Sequence, residues 1–99
     1  MSAQTIRHVV IRGRVQGVGY RVFTECAALD RGLEGWVRNR RDGAVEAVFA
    51  GPPEAVAAVI EACRRGPPGA RVDAIEERQG TAGESAMRRR EQFAVLPTA

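Results

Sequence analysis

The chain has 99 residues, 44% of them hydrophobic and 27% charged, which suits one domain of the usual roughly 100 to 200 residues and leaves no room for a second. That balance excludes a disordered or collagen-like chain, and no apolar run approaches the about 18 residues of a membrane span or forms the core of a secretion leader. All 15 basic residues are Arg, and the net charge of +3 lies wholly in the first half, where 8 Arg face 5 acids against 7 and 7 in residues 51–99; an anion is expected to be handled there.

After a tail over residues 1–5, near-alternation from Ile6 to Ile11 predicts a strand, with Val9 and Ile11 on one face and His8 and Val10 on the other. Three glycines in the seven residues Gly13–Gly19 then mark a tight irregular loop. Residues 22–29 follow at helical spacing, with Val22, Cys26 and Leu29 as the expected core stripe and Gly32 as the stop. Trp36 to Asn39 reads as a second strand, and Asp42-Gly43 as a hairpin turn into a third strand over residues 44–50. There Val45, Ala47 and Phe49 are expected to face the core, and Glu46, Val48 and Ala50 a wet face. Pro52-Pro53 opens a second helix, whose Val56, Val59, Ile60 and Cys63 recur at i, i+3, i+4, i+7. Val72 to Glu77 and Phe93 to Leu96 are strands, and the polar residues 79–92 between them are expected to be a mobile loop.

The order β-α-β-β-α-β plus a short last strand predicts an α+β, ferredoxin-like sandwich, an antiparallel sheet with two helices on one face. Many unrelated functions use that architecture, so function has to come from a site. Much chemistry is absent: there is no Cys/His cluster, no Lys for a phosphate-binding Walker loop and a single imidazole, His8. His8 is expected on the sheet surface rather than as a base, Cys26 and Cys63 as packed reduced thiols, and Ser2 and Ser85 as unactivated hydroxyls. What remains is the glycine loop running from a strand into a helix headed by Tyr20-Arg21. Backbone N–H groups from Val15, Gln16, Gly17, Val18, Gly19 and Tyr20 can converge on an anion there, beside the positive end of a helix dipole. Arg21 adds a planar fork of donors matched to two phosphate oxygens. A tight turn with a solvated Arg satisfies the composition equally well.

The longer string decides between them. Gly13-Arg14-Val15-Gln16-Gly17-Val18-Gly19-Tyr20-Arg21, then Gly35-Trp36-Val37-Arg38-Asn39 and Asp42-Gly43-Ala44-Val45-Glu46, closely resembles the two signature segments of the acylphosphatase family. The resemblance runs from about Ile6 to the end and includes Phe93-Ala94-Val95 as the last strand. It implies that Arg21 binds the substrate phosphate and that Asn39 positions the attacking water. Tyr20 stands where Phe is usual. The implied enzyme is a cytoplasmic monomer acting on small acyl phosphates, with no metal, cofactor, membrane or nucleic acid as partner. A carboxylate leaving group departs without a proton, so a missing general acid is no obstacle. The alternative is a non-catalytic anion- or RNA-binding module of the same fold, which needs aromatics on the open sheet face. Phe49, the aromatic of the third strand, is expected to face the core instead. Trp36 reads as sheet packing or as a wall for the acyl group, and Arg38, Arg40 and Arg41 as a solvated turn that can also steer anions.

Overall fold

The structure, a computed structural model, describes residues 4–99. Five strands, β1 (Thr5–Arg14), β2 (Glu34–Asn39), β3 (Val45–Gly51), β4 (Arg71–Gln79) and β5 (Phe93–Val95), form one sheet in the order β4-β1-β3-β2-β5. Helices α1 (Tyr20–Asp30) and α2 (Pro53–Arg65) make the two crossovers, and a short helix α3 (Ala82–Ser85) with a 3-10 turn (Ala86–Arg88) lies between β4 and β5. No helix among the described residues is long and apolar enough to cross a membrane. Thr5 already pairs with Gly51, so the part of the expected tail that is described is a strand start; residues 1–3 lie outside the described residues.

The α+β sandwich is as expected, but the sheet is mixed: β5 runs parallel to β2 while the other pairings are antiparallel. β4 and β5 are opposite edges of the sheet. The chain joining them has to cross about four inter-strand spacings of roughly 4.8 Å. That crossing overturns two further expectations. Residues 79–92 form a folded cover, in which Thr81 and Glu84 close a reciprocal capping box and the indole N–H of Trp36 donates to the Glu84 carbonyl at 2.7 Å. The face expected to be wet is consequently buried: Trp36, Val48 and Ala94 make a small second core there, with His8 and Glu46 buried beside it. His8 Nε2 lies 2.7 Å from Glu46 Oε2, and Arg38 Nε donates to Glu46 Oε1 at 2.7 Å. Those two bonds hold the Glu46 carboxyl below its ordinary range against the opposing effect of burial.

The main core lies between the other sheet face and the two long helices, where Val9, Ile11, Val37, Val45, Ala47 and Phe49 meet Val56, Val59, Ile60 and Cys63 as their spacing predicts. The first helix is different. It buries Tyr20, Thr24, Ala27 and Ala28, whereas Val22, Cys26 and Leu29 are exposed. Small residues let α1 sit close to the sheet, and the hydroxyl of Thr24 is spent on the Tyr20 carbonyl at 2.9 Å, so a polar residue occupies the core without cost.

Candidate active site

The loop from Val15 to Gly19 is shaped by where its side chains have to go. Val15 is buried and Val18 packs against the core, while Gly17 and Gly19 between and after them are exposed. Gly17 and Gly19 take φ of 75° and 78°, the left-handed region that side chains rarely adopt. A Cβ on either would meet nothing within 4 Å, so conformation rather than space calls for glycine there. Upstream, the β1–β4 register shifts between Arg12 and Gly13, where β4 carries the extra residue Asp73, and β1 stays paired to Arg14, just before the loop.

Gly19 is the N-cap of α1, with no side chain capping the helix and no acidic residue in its first turn. The opening N–H groups of the helix are therefore not taken by a carboxylate of their own helix. Tyr20 fixes this end from below. Its ring is buried, and its hydroxyl donates to the Cys63 carbonyl at 2.5 Å, tying the head of α1 to the tail of α2. Burial pushes the Tyr20 phenol up from its ordinary range and the Cys63 thiol up to about 11.

Asn39 ends β2 on the far side of the same cleft. The loop and this strand end are tied by Gln16, whose side-chain amide donates to the carbonyls of Arg40 and Ala44, both at 2.8 Å. The Asn39 backbone is held from the sheet edge as well: Ala99 N donates to the Asn39 carbonyl at 3.1 Å, and Arg41 N to the Ala99 carbonyl at 2.9 Å. Residues 96–99 thus extend the β5 edge into a strap along the turn.

A cleft of about 300 Å³ results, lined by Val15, Gly17, Gly19, Tyr20, Arg21, Val22, Asn39 and Val95. Of the eight residues singled out from the sequence, six line it, Arg21 and Asn39 among them; Gln16 braces the loop with its side chain, and Val18 packs against the core. Arg21 is exposed and makes no ion pair among the described residues, so its guanidinium is the free cation of the cleft. Two of the neighbouring arginines are neutralised, whereas the exposed Arg41 makes no ion pair among the described residues. Arg38 is paired with Glu46 and lies 4.7 Å over the Trp36 ring, and Arg40 Nη2 is 2.9 Å from Asp42 Oδ2. The Ala44 N–H, with Arg40 and Arg12 nearby, keeps the Asp42 carboxyl below its ordinary range. Trp36 does not line the cleft, since it is committed to the opposite face. No group of three or more His, Cys, Asp or Glu able to hold a metal occurs among the described residues.

Two features of the site escaped the sequence reading: the bridging amide of Gln16 and the apolar rim of Val22 and Val95. Gln16 carries no local signal, because its partners are backbone carbonyls 24 and 28 residues away. Val22 had a misleading signal, its helical spacing with Cys26 and Leu29.

Comparison with known proteins bears on the same segments. The acylphosphatase family model matches residues 7–94. An acylphosphatase of Rhodopseudomonas palustris (strain BisB18) is 57% identical over 94 residues, covering 94% of this chain and 95% of its own, and one of Bradyrhizobium diazoefficiens is 56% identical over 97 residues, 97% and 98% of the two chains. The crystal structure of acylphosphatase from Bacillus subtilis superposes with a TM-score of 0.82 at 33% identity, over 95% of this chain and 99% of that one. Glycine loop, arginine and asparagine strand all fall inside the matched span, and the chain belongs to the acylphosphatase family.

Proposed function

We propose that this chain is an acylphosphatase that cleaves the carboxyl–phosphate bond of small acyl phosphates by direct attack of water. The observation that carries the reading is the convergence on one cleft of a glycine loop at an uncapped helix start, an unpaired Arg21 and Asn39. In this reading the N–H groups of residues 15–20 and the Arg21 fork bind the equatorial phosphoryl oxygens and stabilise their charge as the transition state forms. The Asn39 amide, both donor and acceptor, holds a water in line with the bridging oxygen. The water oxygen bonds to phosphorus, the bond from phosphorus to the acyl oxygen breaks, and its electron pair leaves on the carboxylate. The water's proton passes to a phosphoryl oxygen. Among the described residues no carboxylate, imidazole or thiol lines the cleft, and the leaving group needs none. The free thiols Cys26 and Cys63 are in keeping with a cytoplasmic location. An RNA-binding module is disfavoured because the outer sheet face it would use is covered and its Trp36 buried.

Hydrolysis of benzoyl phosphate by the purified protein in ¹⁸O water tests this reading. The expected result is turnover unaffected by a chelator, with label in phosphate and none in benzoate. Arg21→Ala should abolish both turnover and competitive inhibition by inorganic phosphate, and Arg21→Lys should restore little, because a point charge cannot make the paired contact. Label in benzoate, or an Arg21→Ala protein still inhibited at wild-type phosphate concentrations, contradicts it.

A further inference from the structure

Large hydrophobic side chains on a protein surface are ordinary when scattered singly. Here they are not scattered. Among the described residues, Val22 (63% exposed), Leu29, Met87 and Val95 (41% exposed) are the exposed large hydrophobics, and two of the four line the cleft. They come from different elements, Val22 from the first turn of α1 and Val95 from β5, which pack beside each other. Neither belongs to either hydrophobic core, so the fold does not account for them.

The rest of the lining has other work. Arg21 and the loop N–H groups are taken by the phosphoryl oxygens and Asn39 by the water, while the Tyr20 hydroxyl is bonded to the Cys63 carbonyl. No polar side chain of the lining is left for the acyl group, and Val15 is almost fully buried. The surface left is the pair of valines. Val95 also borders a neighbouring groove with Met87 and Leu96, so the apolar strip continues beyond the cleft. We infer that Val22 and Val95 form the acyl-group subsite and select acyl phosphates with a sizeable apolar acyl group, an aromatic ring or a branched chain, over the smallest ones; this rests on the acyl-phosphate reading of the cleft.

The test compares kcat/KM for benzoyl phosphate and acetyl phosphate in the wild type and in a Val22→Thr/Val95→Thr double variant. Threonine keeps the shape and branching of valine and replaces one methyl by a hydroxyl at each site. The expected result is a roughly tenfold fall for benzoyl phosphate, the scale of a lost apolar contact in a binding pocket, and a fall at least threefold smaller for acetyl phosphate, which offers the wall one methyl. Inorganic phosphate should inhibit wild type and variant alike. Should the double variant not fold, Val22→Thr alone, at an exposed helix position, carries the same expectation at about threefold. Equal falls on both substrates, or no fall on benzoyl phosphate, overturn the subsite while leaving the acyl-phosphate reading standing. A wild type that hydrolyses neither substrate overturns that reading and the subsite with it.

Discussion

Gln16 links the two halves of the site through a single side chain. Its amide spans from the glycine loop to the carbonyls of Arg40 and Ala44, which flank the hairpin just after Asn39. Replacing it by Ala removes one of two donors from each carbonyl, since Gly43 N still donates to the Arg40 carbonyl and Arg40 N to that of Ala44, at a cost of about 0.5–1.5 kcal/mol in stability per lost bond, and frees the loop to move relative to the strand end. Because a displacement on the order of 1 Å can cost about 10²-fold in rate, Gln16→Ala is expected to lower kcat on benzoyl phosphate by about 10- to 100-fold. Gln16→Glu, which keeps the shape but cannot donate, should resemble Ala and not the wild type. Steady-state kinetics beside urea denaturation check both, and full turnover in either variant would mean that loop and strand keep their spacing without the amide.

At the scale of elements, the loop between β1 and α1 depends on backbone conformation. Gly19→Ala places a Cβ at φ 78°, where it has space but an unfavourable conformation, so a loss of roughly 1–2 kcal/mol is expected. The same substitution should weaken phosphate inhibition if the loop relaxes toward negative φ; a protein with wild-type stability and phosphate affinity would show the left-handed turn to be dispensable. This loop was legible because its signal is contiguous: glycines, a strand before, a helix after. The second helix was legible too, since Val56, Val59, Ile60 and Cys63 bury the face that their spacing draws. The first helix was not, because its core face is made of Tyr20, Thr24 and two alanines while its exposed side carries Val22 and Leu29. Hydrophobicity there marks the rim of a cleft as well as a core. The cover formed by residues 80–92 carries one local signal, the capping-box spacing of Thr81 and Glu84, but its seat over Trp36 and the parallel pairing of β5 with β2 depend on contacts between chain segments far apart in sequence.

For the whole molecule, the charged and buried groups set a pH window. Glu46 and Glu84 both have carboxyls held below their ordinary 4.5, Glu84 at about 2 chiefly through its hydrogen bond from Arg78. Folded values below unfolded ones mean stability that is present above about pH 4.5 and lost as pH falls toward 2. Cys63 runs the other way: burial raises its thiol from 9.0 to about 11, so its contribution is present below pH 9 and lost as pH rises toward 11. Urea midpoints are therefore expected to be flat between about pH 5 and 9 and to fall on either side, and Glu84→Gln should shrink the acid limb; a midpoint that climbs below pH 4 would contradict this. Within that window the fold brings a loop after β1 and the end of β2 to face one cleft, and in the proposed reaction they do different jobs. Turnover and phosphate inhibition of Asn39→Ala, measured together at pH 7, test it most directly. Loss of one preorganised catalytic group costs on the order of 10² to 10³ in kcat, so turnover should collapse by that factor while the inhibition constant of inorganic phosphate stays within about threefold of wild type. An Asn39→Ala protein that keeps most of its turnover, or loses phosphate affinity in step with it, would contradict the account.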